Sequence, residues 1–148
     1  MRDELLVALD EGAFMPERAH ATDAGLDIRY PLTMLGAKNC AVRIRPHGDA
    51  VFRTGVHVRL PVGTCGLLMS KSGLNVNHRV TSTGLIDEGY SGEIMVRLYN
   101  HGEEPYDVHP GDKITQLVIV PCRYYEPVRV ESVEGGERGD AGFGSTGR

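Results

Sequence analysis

Five stretches of this 148-residue sequence hold residues whose types and spacing could do chemistry. In Gly84-Leu85-Ile86-Asp87-Glu88-Gly89-Tyr90-Ser91-Gly92-Glu93-Ile94, a carboxylate occupies a tight turn and a tyrosine follows three residues later. Buried beside apolar Leu85 and Ile86, Asp87 would take a proton from a water as general base, and the Tyr90 ring would lie against a sugar. The same residues also make an ordinary Asp-Glu-Gly turn with a solvated carboxylate. Lys71-Ser72-Gly73 presents a cation, a hydroxyl and an unencumbered backbone N–H in succession. That is a phosphate clamp without the longer glycine-rich run of a P-loop, or else a lysine-capped turn. Gln116 interrupts an apolar run, where an unpartnered amide is costly, so it bonds neighbouring backbone or faces a ligand. Asp23 and Asp27 flank a small-residue turn and would supply the one or two carboxylates that a hard cation needs when phosphates provide its other ligands.

The chain end, residues 138–148, interleaves four glycines with Arg138, Phe143, Ser145 and Thr146. Glycine N–H groups approach an anion closely, the hydroxyls donate, and an arginine forks two N–H groups onto a phosphate. Phe143 offers a flat apolar face suited to a base. A frayed glycine-rich tail is the other reading of this stretch alone. The six histidines show no i,i+3 or i,i+4 pairing, which argues against a tetrahedral metal cage, and Ser145 lacks a histidine–carboxylate set at a familiar spacing.

The elements that must position these groups read as short strands. Residues 5–9 form a brief apolar run bounded by Gly12 and Pro16, and residues 40–45 alternate apolar and basic side chains before Pro46. Alternation is cleaner over residues 56–60 and 93–99. Residues 64–69 lead as a strand into Ser70-Lys71-Ser72, residues 114–120 form a nearly continuous apolar strand, and residues 128–133 read as a last one. A single short helix is expected near residues 72–77. About eight strands at roughly 8–12-residue spacing, with glycines and prolines between them, predict an all-β barrel or sandwich.

Sixteen basic against twenty acidic residues leave a net charge of −4, which argues against a polynucleotide partner. No apolar run approaches the ~20 residues of a membrane span, and the acidic start Met1-Arg2-Asp3-Glu4 is unlike a secretory leader. Cys40, Cys65 and Cys122 are odd in number and unpatterned, so they read as free thiols in a reducing compartment, and the expectation is a cytoplasmic protein.

Taken in order, these stretches resemble the five motifs of the homotrimeric dUTP diphosphatase (dUTPase) family. They are Asp23-Ala24-Gly25-Leu26-Asp27-Ile28; Ser70-Lys71-Ser72-Gly73-Leu74; residues 84–94; Pro110-Gly111-Asp112-Lys113-Ile114-Thr115-Gln116-Leu117; and residues 138–147. The resemblance spans residues 16–148. It implies an all-β, jelly-roll-like barrel over residues 1–134, with residues 135–148 as an arm that closes over the active site. It implies hydrolysis of dUTP to dUMP and pyrophosphate, with Mg²⁺ as cofactor and each active site drawn from three subunits. By the resemblance, Asp87 activates the attacking water and Tyr90 packs on deoxyribose, leaving no room for a 2′-hydroxyl. Lys71, Ser72, Gly73 and Gln116 contact phosphate, and Gly84 and Ile86 belong to the substrate-binding hairpin. Arg138, Gly144, Ser145 and Thr146 grip the terminal phosphate, Phe143 stacks on uracil, and Asp27 meets the Mg²⁺ region through water.

The sequence departs from the family pattern in three places. Lys71 stands where arginine is usual, which keeps the charge and loses the fork. Ala141 replaces a common glycine. Residues 77–83 are short and lack the asparagine some relatives use to read uracil, leaving the base to backbone near residues 82–84. These features resemble phage or prophage members. A dCTP deaminase, or a bifunctional deaminase–diphosphatase on the same scaffold, is the rival enzyme reading; a trimeric nucleotide-binding regulatory protein with a protein partner is the rival from another class.

Overall fold

A computed structural model describes residues 4–133, 135 and 136. Eleven strands and one short helix follow in chain order: β1 (Leu6–Leu9), β2 (Leu26–Arg29), β3 (Thr33–Met34), β4 (Ala37–Lys38), β5 (Val42–Ile44), β6 (Asp49–Arg59), β7 (Thr64–Met69), α1 (Ser72–His78), β8 (Val80–Ile86), β9 (Glu93–Asn100), β10 (Tyr106–Val108) and β11 (Lys113–Pro121). Seven of them form one continuous sheet in the order β1-β6-β9-β8-β7-β11-β2, and every pairing in it is antiparallel.

The sheet curls because β8 changes partner along its length. Its first half, residues 80–82, pairs with β9, and its second half, residues 83–86, pairs with β7. Beyond that point β9 runs on beside β6, through the pair Met95↔Arg53 to Glu93↔His57. The two arms of the β8–β9 hairpin therefore part company near Ser82 and splay towards its tip. A strand that serves two half-sheets folds them over one core, as in a jelly roll.

That core is built from the inward positions of alternating strands. Along β9, Ile94, Val96, Leu98 and Asn100 point in, as period-2 patterning requires. They pack with Phe52, Val56, Ile28, Ile44, Ile114 and Leu117, all essentially without solvent contact. Buried Asn100 is fully used: its amide donates to Ile44 O at 3.2 Å and Glu104 O at 2.8 Å, and its carbonyl accepts from Gly102 N–H at 2.9 Å. The ring of Phe52 meets Tyr30 edge-on at 5.1 Å.

Several sequence expectations need correction. Residues 21–28 read as a small-residue turn, yet residues 26–29 form β2, an edge strand recruited by β11. Residues 80–86 were not expected as a strand; Thr, Ser and Gly dilute the pattern, and neighbours on both sides impose the pairing. The strand expected at 56–60 is the end of an eleven-residue strand. Residues 128–133 form no strand, and Val128, Val130 and Val133 are exposed: alternation makes a strand only where a sheet receives its apolar face.

Candidate active site

Three neighbouring strands bring the first, second and fourth motifs side by side. Gln116 in β11 lies opposite Asp27 in β2 and opposite Met69 in β7, whose end leads into Ser70, Lys71 and α1. The Gln116 amide donates to Ser70 O at 3.0 Å, so of its two expected roles the backbone one is filled. Gly25 is the reason it can lie there. A Cβ at residue 25 would fall 2.4 Å from Gln116 Oε1 and 3.0 Å from its Cβ. Beneath them, Thr115 Oγ1 bonds Met69 O at 3.0 Å and Ser82 Oγ at 2.8 Å. Ser70 Oγ donates to Ser82 O at 3.0 Å and accepts from Ser82 N–H at 2.9 Å. This hydroxyl network ties the root of the Lys71 turn to the point where β8 switches partners.

Asp27 is 4% exposed and holds two ammonium groups, Lys71 on Oδ1 and Lys113 on Oδ2, the latter at 2.6 Å. Burial pushes its carboxyl upward, but hydrogen bonds and charge from both lysines outweigh that and hold it below the ordinary carboxylate value. Lys113 was not singled out from the sequence. A register shift in β11 between Lys113 and Thr115 lets a residue that pairs opposite Arg29 turn its ammonium onto Asp27. Ser72 and Gly73 are exposed in the first turn of α1, whose N–H groups have no partner inside the helix.

The third motif forms a separate group at the splayed end of the β8–β9 hairpin. A cavity of ≈ 330 Å³ opens there, lined by Leu85, Ile86, Asp87, Tyr90, Glu93 and Met95. Asp87 is exposed on its lip, not shielded between Leu85 and Ile86 as the sequence reading required; Leu85 itself points outward. The chain reverses tightly at Asp87, whose carbonyl accepts from Tyr90 N–H at 3.0 Å. Tyr90 then folds back over the turn, its hydroxyl donating to Glu93 O at 2.8 Å. Gly84 sits in the second half of β8, against Leu68.

Glu88, next in sequence, is occupied elsewhere. It accepts from Tyr124 OH at 2.5 Å and from Gly63 N–H at 2.8 Å. Those two bonds, the tyrosine's first, hold the Glu88 carboxyl below the ordinary carboxylate value, and the hydrogen bond to Glu88 pushes Tyr124 up to about 12. Glu93, which lines the same cavity as Asp87, is held by the Arg53 guanidinium and by Gly55 N–H, so among the described residues Asp87 is the carboxylate left free to face that cavity. A second cavity of ≈ 420 Å³ also touches Asp87 and is lined by Cys65, Cys122 and Tyr124 among others. Burial, then Cys122, then the Asp87 charge raise the Cys65 thiol, so it stays protonated, and all three cysteines are free.

Within one chain the structure thus assembles Asp27, Lys71, Ser72, Gly73, Lys113 and Gln116 in one place, and Gly84, Ile86, Asp87 and Tyr90 in another. Arg138, Phe143, Gly144, Ser145 and Thr146 lie outside the described residues. Among the described residues no group of three or more His, Cys, Asp or Glu side chains could hold a metal ion, and no helix is long and apolar enough to cross a membrane.

The family model for dUTPase matches residues 11–147. The deoxyuridine 5′-triphosphate nucleotidohydrolase of Clostridium kluyveri is 39% identical over 148 residues, covering 97% of this chain and 98% of the relative. That of Clostridium acetobutylicum is 37% identical over 142 residues, with 94% and 92% covered. Among solved structures, the dUTPase of Staphylococcus bacteriophage 80alpha with dUPNHPP superposes with a TM-score of 0.86 at 34% identity, covering 99% of this chain and 100% of that one. A mutant dUTPase from phage phi11 of S. aureus, described as coordinating a structural Mg(II) ion, gives 0.75 at 34% identity, with 88% and 98% covered.

An all-β nucleotide hydrolase is the class that fold and relatives define together. The chain belongs to the dUTPase family, the dUTP diphosphatases.

Proposed function

We propose that the chain hydrolyses dUTP to dUMP and pyrophosphate with Asp87 as the base that activates water. The observation that carries this is the cleft at the splayed hairpin, where one exposed carboxylate and one folded-back tyrosine line the same cavity. Asp87 orients the water and takes its proton as the oxygen attacks the α-phosphorus; the pyrophosphate group leaves. Tyr90, braced on Glu93 O, presents its ring to the deoxyribose and excludes a 2′-hydroxyl. Backbone of β8 near Gly84 and Ile86 borders the base. Lys71, the Ser72 hydroxyl, the Gly73 N–H and Gln116 receive the phosphate chain, so that most of the work is orientation and charge neutralisation. Arg138, Gly144, Ser145 and Thr146 complete the grip and Phe143 covers the uracil, with residues 135–148 acting as an arm on the domain of residues 1–134.

The separation of the two groups on one chain supports a homotrimer, in which the Asp87 cleft of one subunit faces the lysine–glutamine cluster of its neighbour and a third supplies the arm. The donor set fits Mg²⁺ as a partner of the substrate, not as a resident ion. Both Asp27 oxygens already hold ammonium groups and the side chain is buried, so Asp27 in this arrangement has no oxygen free for the ion or its waters, and the substrate's phosphates would hold it. Bound there, Mg²⁺ supplies charge neutralisation on the triphosphate.

The test is Asp87→Asn. Turnover should fall by about 10²–10⁴-fold, the usual cost of losing a positioned base, with nucleotide affinity retained. Near-normal turnover rejects the assignment. A panel of dUTP, UTP, dCTP and dTTP, with and without Mg²⁺ and scored for pyrophosphate and ammonia, separates this reading from the deaminase one.

A further inference from the structure

The Asp27 cluster holds one more positive charge than it needs. A single ammonium neutralises a buried carboxylate, yet Lys71 and Lys113 each occupy one oxygen, leaving a net charge of +1. The carboxylate is 4% exposed, whereas the lysine side chains are 26% and 32% exposed, so solvent and ligands reach the ammonium groups but not Asp27. The two lysines differ in what lies beside them. Lys71 immediately precedes the exposed Ser72 and Gly73 at the start of α1, while Lys113 sits on β11 opposite Arg29, whose own guanidinium is engaged by Glu17 and Gly111 O.

An arginine at position 71 could keep one edge of its fork on a carboxylate and turn the other to a phosphate. A lysine is a compact point charge and serves two anions far less well. If Lys71 turns to a phosphate, Asp27 would be left as a bare buried carboxylate, one of the costliest states a protein interior offers. The second ammonium removes that cost.

We propose that Lys113 is a positioning residue: it keeps Asp27 satisfied so that Lys71 can leave the carboxylate and meet the substrate's phosphate chain. Lys113 acts on the ligand only through Asp27 and Lys71. The inference rests on the reading above that Lys71, Ser72 and Gly73 border the phosphates, and it extends that reading to the order in which contacts exchange.

The experiment is a double-mutant cycle on the full chain with Lys113→Met, Asp27→Asn and the two combined. It is read by calorimetric binding of inorganic triphosphate in EDTA and by KM and kcat for dUTP with Mg²⁺. Lys113→Met should weaken triphosphate binding and raise KM by about ten-fold or more, the scale of one charge-assisted contact, with kcat within about two-fold. In the Asp27→Asn background, where no carboxylate competes for Lys71, the same change should move binding by less than about three-fold. Lys113→Arg should restore the wild-type values. An equal loss in both backgrounds overturns the proposal, since Lys113 would then act on phosphate directly or through general charge. No loss in the wild-type background overturns it too, as does a wild-type chain that fails to bind triphosphate. If melting shows Lys113→Met unfolded, Lys113→Gln carries the same cycle. A wild-type chain that binds triphosphate but leaves dUTP intact defeats the functional reading alone, because the binding cycle still reports the lysine coupling.

Discussion

Gly92→Ala probes the third motif with a change of one methyl group. A Cβ at residue 92 would lie 2.5 Å from Tyr90 OH, 2.6 Å from Cζ and 2.9 Å from Cε2. Three contacts with one ring cannot be relieved by a small adjustment, so the ring must swing away and its hydrogen bond to Glu93 O must break. The lost bond costs about 0.5–1.5 kcal/mol, and because Tyr90 is 44% exposed the freed hydroxyl finds water, which favours the lower end. Gly92 is not among the glycines with positive φ, so alanine suits the backbone and returns about 0.4–1 kcal/mol by restricting the unfolded chain. The two terms nearly cancel, and the melting temperature should move by no more than about 3 °C. Function should not be spared. With the ring displaced, the space that excludes a 2′-hydroxyl opens, and the ratio of kcat/KM for dUTP over UTP should fall by about ten-fold or more, the worth of one lost close contact. The assay is that ratio measured beside a melting curve. An unchanged ratio refutes the placing of Tyr90 against the sugar. A melting temperature lowered by about 10 °C or more would refute it differently, by showing that the ring packs the fold and does not gate the cleft.

Three further outcomes are expected. Leu117→Ala, at a fully buried position of β11 between β2 and β7, should cost about 2–5 kcal/mol in denaturant unfolding, and a cost under about 1 kcal/mol would remove β11 from the centre of the core. Asp27 is held below its ordinary value of 3.8, so the folded chain gains stability from it above that pH and loses it as the pH falls through and below that value. The fall in melting temperature between about pH 5 and pH 3 should therefore be shallower in Asp27→Asn than in the wild type; equal slopes would deny the two lysine contacts. Deleting residues 139–148 should reduce turnover by at least about 10²-fold, as when transition-state donors are removed, with an unchanged melting temperature, because the segment contains one large apolar side chain. A truncated chain that melts early would contradict this.

Much of this protein was determined within single stretches of sequence. The five motifs stand in order, the alternation in residues 93–99 specifies a strand whose inward face is set by period two, and the apolar run at 114–120 specifies another. The short helix after Lys71 was legible too, closing on Arg79 in the left-handed conformation. What belongs to no single stretch was decided by tertiary structure. Nothing local tells β8 to leave β9 for β7 after Ser82, yet that exchange opens the cleft at Asp87. Lys113 carries no local signal of its role, because only the three-strand register and a shift in β11 turn it onto Asp27. Residues 128–133 show the converse, a strand pattern with no sheet to receive it. Periodicity states which face of a segment seeks burial; which partner buries it depends on segments far away in the chain, and that choice set the charges and the cleft of this site.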